Sequence, residues 1–304
     1  MKLPKTYAVP PLTLQSRPDV KCNMRIKVYP DGSRRALIFS VDAYTPDGWE
    51  ASAEFADRSG RIEPPPDVEE MSVYELERLD SKKAYNVGRS RRRAKERVRD
   101  IAMSTDFKWF VTLTLDPAKI DRYDMGAITK KLNIWLSNAV RRQGLAYVLV
   151  PEHHKDGAIH FHGFFNDALP VEYSHTLTNG GRPRRPASPE QELEWLTSGW
   201  HKVYNLPRWT LGFSTAIELY GERRHSVGYV LKYIDKEYSG TDSASAGKIG
   251  GRYYYSGGKL GAPEILYAEC YDFDAVEGFE FAVPGLGCRA KIVEYDPAGN
   301  VTNL

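Results

Sequence analysis

Four of the seven histidines fall within ten positions, at His153, His154, His160 and His162, in the stretch YVLVPEHHKDGAIHFHGFF (147–165). Imidazole nitrogens bind divalent metals, and a nearby carboxylate widens the range of ions a site accepts. On an extended segment His160 and His162 point to the same side, because successive side chains of a strand alternate. Their Cα atoms then lie roughly 6–7 Å apart, close enough to share one ion. The preceding segment offers Glu152 and His154 on one face, and Pro151 and His153 on the other. A two-residue turn at Asp156-Gly157 pairs His153 with His160. A three-residue turn, Asp156 to Ala158, pairs His154 with His160 and Glu152 with His162. The choice matters because a one-residue slip exchanges the two faces of a strand. An isolated His-x-His on a strand is ordinarily polar decoration. Flanked by apolar residues and faced by Glu-His-His, it reads as a metal site. No cysteines lie at zinc-finger spacing, and histidine with carboxylate suits a catalytic ion.

A second constellation lies at 229–238, YVLKYIDKEY. On a helix, Tyr229 and Tyr233 are one turn apart and share a face, and Lys232 and Lys236 each follow a tyrosine by three. Amphipathic helices also place tyrosines at a core margin and let lysines snorkel. The chemical alternative is nucleophilic attack. A phenol has a pKa of about 10 and attacks poorly alone, but an ammonium group stabilises the phenolate and a metal polarises the phosphate under attack. Two tyrosines on one face can act in turn, one cleaving and the other resolving.

These groups need rigid supports. Tyr147–Val150 and Ile159–Phe165, rich in β-branched and aromatic residues, flank Lys155-Asp156-Gly157 and read as a hairpin. Phe107–Leu115 (FKWFVTLTL) alternates Val111, Leu113 and Leu115 with Thr112 and Thr114, as a half-buried strand does. A helix is predicted from about Asp124 to Arg142, with an apolar stripe of Ile128, Leu132, Ile134, Leu136 and Val140 and a closing Gly144. Ser174–Pro189 reads as a mobile Gly/Pro/Arg-rich loop whose Arg182, Arg184 and Arg185 could touch phosphates. Ser188-Pro189-Glu190 opens a helix with Leu193, Leu196 and Trp200. Trp209–Leu219 reads as a strand, and Arg223 to about Tyr238 as the tyrosine helix. Strand, helix, strand, strand, helix, strand, helix predicts an α+β domain: a central antiparallel sheet, a split β-α-β arrangement, and helices on one face.

Outside this region, residues 1–20 read as a loose arm. Met24–Tyr29 and Arg35–Tyr44 form a hairpin around Pro30-Asp31-Gly32-Ser33, and Trp49–Phe55 reads as a further strand. Pro64-Pro65-Pro66 marks a break. A helix starts at Ser72, where Ser72 and Glu75 resemble a capping box. It runs into 81–99, where nine basic residues, Arg91, Arg92, Arg93 and Lys95 among them, face one acid, Glu96. Such density suits phosphate contacts. Gly240–Gly247 reads as a linker, Arg252–Tyr255 as an aromatic strand, and the end of the chain as β structure. The expected parts are an N-terminal β-rich region (1–66), a basic helical segment (67–104), the catalytic domain (105–240) and a C-terminal β-rich region (241–304).

The 304 residues carry a net charge of +2, so any nucleic-acid surface must come from local clustering. Cys22, Cys270 and Cys288 are too few and too scattered for a disulfide framework, which makes a reducing cytoplasm the expected location. No apolar run is long enough for a membrane span or a signal-peptide core.

In their order, FVTLTLDP (110–117), His160-Phe161-His162 after PEHHKDGAI, and the Tyr229-Val-Leu-Lys232-Tyr233 helix resemble the HUH endonuclease superfamily. The likeness is to the rolling-circle replication initiators of plasmids and single-stranded DNA phages, and it covers roughly 107–238. It implies an RRM/ferredoxin-like fold. It also implies Mg²⁺ or Mn²⁺ held by His160, His162 and a polar residue of the adjacent strand, at Glu152, which favours the three-residue turn. Tyr229 and Tyr233 become the nucleophiles, with Lys232 as their helper. The activity implied is metal-dependent nicking and rejoining of a single-stranded or hairpin origin through a 5′-phosphotyrosyl intermediate, with host helicase and polymerase as partners. The nearest glycine-lysine element, Ala246-Gly247-Lys248-Ile249, lacks the spacing and hydroxyl of an ATP-binding loop, so no helicase is expected in the chain. Related alternatives are a conjugative relaxase, which usually has a third motif histidine and an N-terminal nucleophile, and a single-strand transposase. An alternative of another class is a non-catalytic origin-binding or single-strand-binding protein.

Overall fold

A computed structural model describes residues 20–44, 73–236, 248–283 and 287–302, with backbone alone for 73–85 and 236. The readings of an arm at 1–19, a strand at 49–55, a break at 64–66, the Ser72–Glu75 cap and a linker at 240–247 fall outside what it describes. The chain divides into two compact units, 1–71 with 262–304, and 72–261.

In the first unit the two ends of the chain build one antiparallel sheet. β1 (Met24–Val28) and β2 (Arg34–Phe39) form the expected hairpin. Gly32, at φ +86°, closes its turn with an N–H to Tyr29 O, and the Asp31 carboxylate accepts from the Ser33 N–H. β10 (Glu264–Ala268), β11 (Phe279–Val283), β12 (Cys288–Tyr295) and β13 (Val301–Thr302) complete it, in the order β10-β1-β2-β12-β11 with β13 on β12. The two flanking β-rich regions therefore pair with each other. Cys22, Cys270 and Cys288 are buried free thiols.

The second unit holds a seven-stranded antiparallel sheet. Its strands are β3 (Trp109–Leu115), β4 (Tyr147–His153), β5 (Ile159–Phe165), β6 (Glu172–Thr178), β7 (His201–Asn205), β8 (Gly212–Glu218) and β9 (Tyr255–Gly257), in the order β6-β7-β8-β3-β5-β4-β9. β3 and β4 run the same way, linked by helix α2 (Met125–Gln143), with β5 antiparallel between them. This is the split β-α-β unit. Asp124 caps α2 by accepting from the Ala127 N–H, and Gly144, at φ +74°, ends it.

One sheet face is apolar. Val111, Leu113 and Leu115 of β3, Leu149 of β4, and Phe161 and Phe165 of β5 are buried against Ile128, Leu132 and Leu136 of α2. Cutting Phe161 back to Ala would cost about 3–5 kcal/mol. Ile134, counted in the predicted stripe, is 55% exposed, because at 100° per residue it falls off the line of 128, 132 and 136. Trp135 packs instead, edge-on to Trp209 at 5.1 Å.

The expectation of helices on one face is corrected. Helices α1 (Val73–Ser104) and α4 (Arg223–Lys236) pack on each other, and α4 sets its tyrosine rings over the face opposite α2. Phe110 and Phe164 supply apolar area on that second face, so both sides of the sheet are covered near β3 and β5. The predicted loop at 174–189 is also corrected. Its first part is β6, and the rest is tied back by reciprocal backbone hydrogen bonds between Leu177 and Arg184. Serines and threonines hid the strand, since edge strands need little apolar character on their open side. β7 escaped the sequence reading for the same reason. α3 (Pro189–Thr197) begins at the expected Ser188 cap, whose hydroxyl accepts from the Gln191 N–H.

Candidate active site

The hairpin places Glu152, His154, His160 and His162 on one face, but by neither turn considered from the sequence. Glu152 lies opposite His160, and His153 opposite Ile159. The loop is Lys155-Asp156-Gly157: the His154 N–H donates to Ala158 O, and the Gly157 N–H donates to His154 O. Gly157, at φ +83°, takes the left-handed position that such three-residue hairpins require. The register is two residues away from the favoured one, and a shift of two preserves the face. His153 is thereby removed as a third ligand, since it projects from the other side with Ile159.

Gly163 explains how closely the strand carrying the histidines lies on β4. A Cβ there would sit 1.9 Å from Val148 O, so only glycine allows the approach.

β3 orients both rings. Thr112 Oγ1 lies 3.1 Å from His162 Nδ1, and Thr114 Oγ1 lies 3.3 Å from His160 Nδ1. Each hydroxyl occupies Nδ1 and turns Nε2 toward the site, as outer partners of ligating histidines do. These threonines were missed as functional residues. The signal was present in the alternation, which put them on the face away from Val111 and Leu113.

His162 Nε2 sits 2.7 Å from Glu152 Oε2, with both residues buried. His154 stacks on His160 at 4.9 Å and holds Asp156 through Nδ1 at 3.3 Å. Burial, helped by the neighbouring His154 and His162, lowers the His160 pKa; Glu152 and Asp156 oppose this. A neutral imidazole is the ligating form.

α4 brings the tyrosines to the same place. The Tyr233 ring lies flat on His162, with centroids 4.1 Å apart and an interplanar angle of 9°. Tyr229 meets Tyr233 edge-on at 5.4 Å and Phe110 at 5.7 Å. The two hydroxyls differ in setting. Tyr229 is 48% exposed. The Tyr233 pKa is raised far above a free phenol's by burial, by a hydrogen bond with Tyr229 and by the Glu152 charge. Lys232 is exposed and forms no ion pair among the described residues.

Among the described residues, no group of three or more His, Cys, Asp or Glu side chains is preassembled to hold a metal ion. The geometry gives the reason: His162 Nε2 is engaged by Glu152 instead of sharing a common point with His160. The donor types nevertheless suit a divalent ion. Two imidazoles oriented through Nδ1 and one buried carboxylate lie on adjacent strands, and one hydrogen bond must open for them to converge.

The basic residues separate into groups. Lys95 Nζ donates to Asp235 at 2.6 Å, and Arg91 Nε lies 3.9 Å from the same carboxylate, two residues beyond Tyr233. These two cations fasten α1 to the tyrosine helix. Arg92 and Arg93 are exposed, as are Arg182, Arg184 and Arg185 in the loop after β6.

Residues 108–238, from the start of β3 through the tyrosine helix, match a family model of replication-associated proteins of the ORF2 type. Neither a curated protein nor a solved structure matches the chain. Over the matched segment the chain is similar to replication-associated proteins, and the segment includes every side chain of the site described above. Among the described residues no helix is long and apolar enough to cross a membrane.

Proposed function

We propose that the chain is a metal-dependent endonuclease and strand transferase that nicks a single-stranded replication origin and initiates rolling-circle replication. The observation that carries this reading is the stacking of Tyr233 on His162, with Tyr229 beside it and exposed. Two candidate nucleophiles and two candidate ligands meet on one sheet face, although some seventy residues separate them in the chain.

His160, His162 and Glu152 would hold Mg²⁺ or Mn²⁺, which when bound supplies charge to polarise a phosphodiester. Thr112 and Thr114 hold the imidazoles in the tautomer that leaves Nε2 available. A tyrosine oxygen attacks phosphorus, the P–O3′ bond breaks, and the phenolic proton leaves while the 3′ oxygen gains one. One ester replaces another, so the link is conserved for rejoining. Tyr229, exposed and less encumbered, acts first. Tyr233, whose proton is held by burial and by Tyr229, follows when the first hydroxyl is consumed and its hydrogen bond is lost. Lys232 sits beside both on the helix and stabilises the phenolate.

A pool of labelled single strands of random sequence, incubated with and without Mn²⁺ and boiled in SDS, tests this. A covalent protein–DNA adduct that disappears with chelator, and whose peptide carries a modified Tyr229 or Tyr233, is the expected result. The engagement of Glu152 with His162 favours one second reading, an origin-binding protein without catalysis. Tight single-strand binding with no adduct under any divalent ion would select it.

A further inference from the structure

The face that carries the histidines continues onto β8. In cross-strand register Phe213 lies beside Thr114, which lies beside His160; Thr215 lies beside Thr112 and His162. Phe213 is 69% exposed. It is not a core residue displaced to the surface. Ser214 and Ala216 take the other face, where Ser214 Oγ accepts from the Leu206 N–H and Ala216 is fully buried. The strand's packing is satisfied without Phe213.

A second ring stands past the other end of β8. Tyr220 stacks on His201 with centroids 3.4 Å apart and planes 12° apart, and it is 54% exposed. His201 belongs to the same face, because Val203, two residues on, pairs with Ile217, which pairs with Phe110. Exposed aromatic rings therefore bracket the strand, and Tyr229 contacts Phe110 between them. Lys232, three residues beyond Tyr229 and exposed, adds positive charge on the same helix.

Duplex DNA stacks its bases internally, whereas an unpaired strand presents every base face to a ring. We propose that β8 is the floor of a track for single-stranded DNA, in which Phe213 and Tyr220 each stack a base and hold the phosphate between them within reach of Tyr229. This rests on the function proposed above, and it adds the two positioning residues and the path of the strand.

Fluorescence anisotropy with a short fluorescein-labelled single strand of random sequence, and with the same strand as a duplex, tests the track. Phe213→Ala weakens single-strand binding by roughly 5- to 100-fold and leaves duplex binding unchanged, and Phe213→Trp restores it. Tyr220→Ala acts in the same direction. A strand bearing 5-iodouracil, photocrosslinked to the unaltered protein, attaches to the peptides holding Phe213 and Tyr220; this arm needs no variant to fold. If the unaltered protein forms adducts while both alanine variants bind as it does, or the crosslinks lie elsewhere, the track is wrong and the nicking reading stands. If the unaltered protein neither binds single strands nor forms an adduct, both fall.

Discussion

The two sheets treat buried polar groups in opposite ways. In the first unit Asn23 donates to Phe39 O and Cys270 O and accepts from the Cys270 N–H. Lys291 is buried, its ammonium bonded to Phe273 O and Val276 O and 4.5 Å from the Phe273 ring. Each group is saturated by backbone, and such groups brace loops. In the second unit His160 makes one hydrogen bond, to Thr114, and its second ring nitrogen has no partner among the described residues. Tyr229 keeps half its surface open. Saturated polar groups stabilise a fold, whereas groups left with spare bonding capacity on a rigid face are placed to meet something else.

The contrast can be broken most directly at the histidines. His160→Ala with His162→Ala should reduce adduct formation by at least about a hundredfold, the scale expected when several kcal/mol of charge stabilisation is lost. Gel assay of adducts, alongside anisotropy for DNA binding, checks it. Binding should survive, and loss of both together would mean that the histidines hold the DNA surface itself.

The tyrosines sharpen the comparison within one site. Tyr229→Phe should remove most first-round adduct, and Tyr233→Phe should spare that adduct but block completion of the cycle. Peptide mapping of adducts from each variant distinguishes the roles; equal yields from both variants would remove the order argued from exposure and burial.

Thr112→Val deletes the Nδ1 partner of His162 at nearly constant volume. Outer partners of ligating histidines are worth roughly 10- to 100-fold in metal affinity, so the Mn²⁺ requirement for half-maximal adduct should rise by that factor. Thr112→Ser should restore it. A titration curve that does not move would make the threonine a packing residue.

Lys291→Met tests the saturated side. Carbonyl groups left unpaired should lower stability by about 1–3 kcal/mol, read from the urea midpoint, with adduct formation per folded molecule unchanged.

The smallest effect belongs to the exposed arginines. Neutralising Arg92 and Arg93 should flatten the slope of log affinity against log salt by about 0.7 per lost phosphate contact. Arg91→Gln should instead loosen α4, because its partner is Asp235. An Arg92/Arg93 variant with an unaltered slope would return that surface to solvent.

Much of the local structure was legible because local rules produce it. The ends of α2 follow from Asp124 and Gly144, and the β1–β2 turn follows from Asp31 and Gly32. The alternation of β3 announced which residues enter the core. The strand at 172–178 was illegible, because its partner across the sheet, β7, supplies the pairing that Ser174 and Thr176 do not advertise. The hairpin register was illegible too, since several turns fit Lys155-Asp156-Gly157-Ala158 and only the pairing with β4 selects one.

By itself the sequence determined which groups were chemically capable: paired imidazoles on a strand, paired phenols on a helix, and a carboxylate within one hairpin, because periodicities of two and 3.6 are properties of the backbone alone. Only the tertiary structure decided that Tyr233 rests on His162, that Thr112 and Thr114 orient the rings, that Arg91 and Lys95 turn toward Asp235, and that Phe213 continues the same face. Those meetings depend on which strands become neighbours. That order is set by packing the apolar face of a whole sheet on α2, which no short stretch of chain encodes.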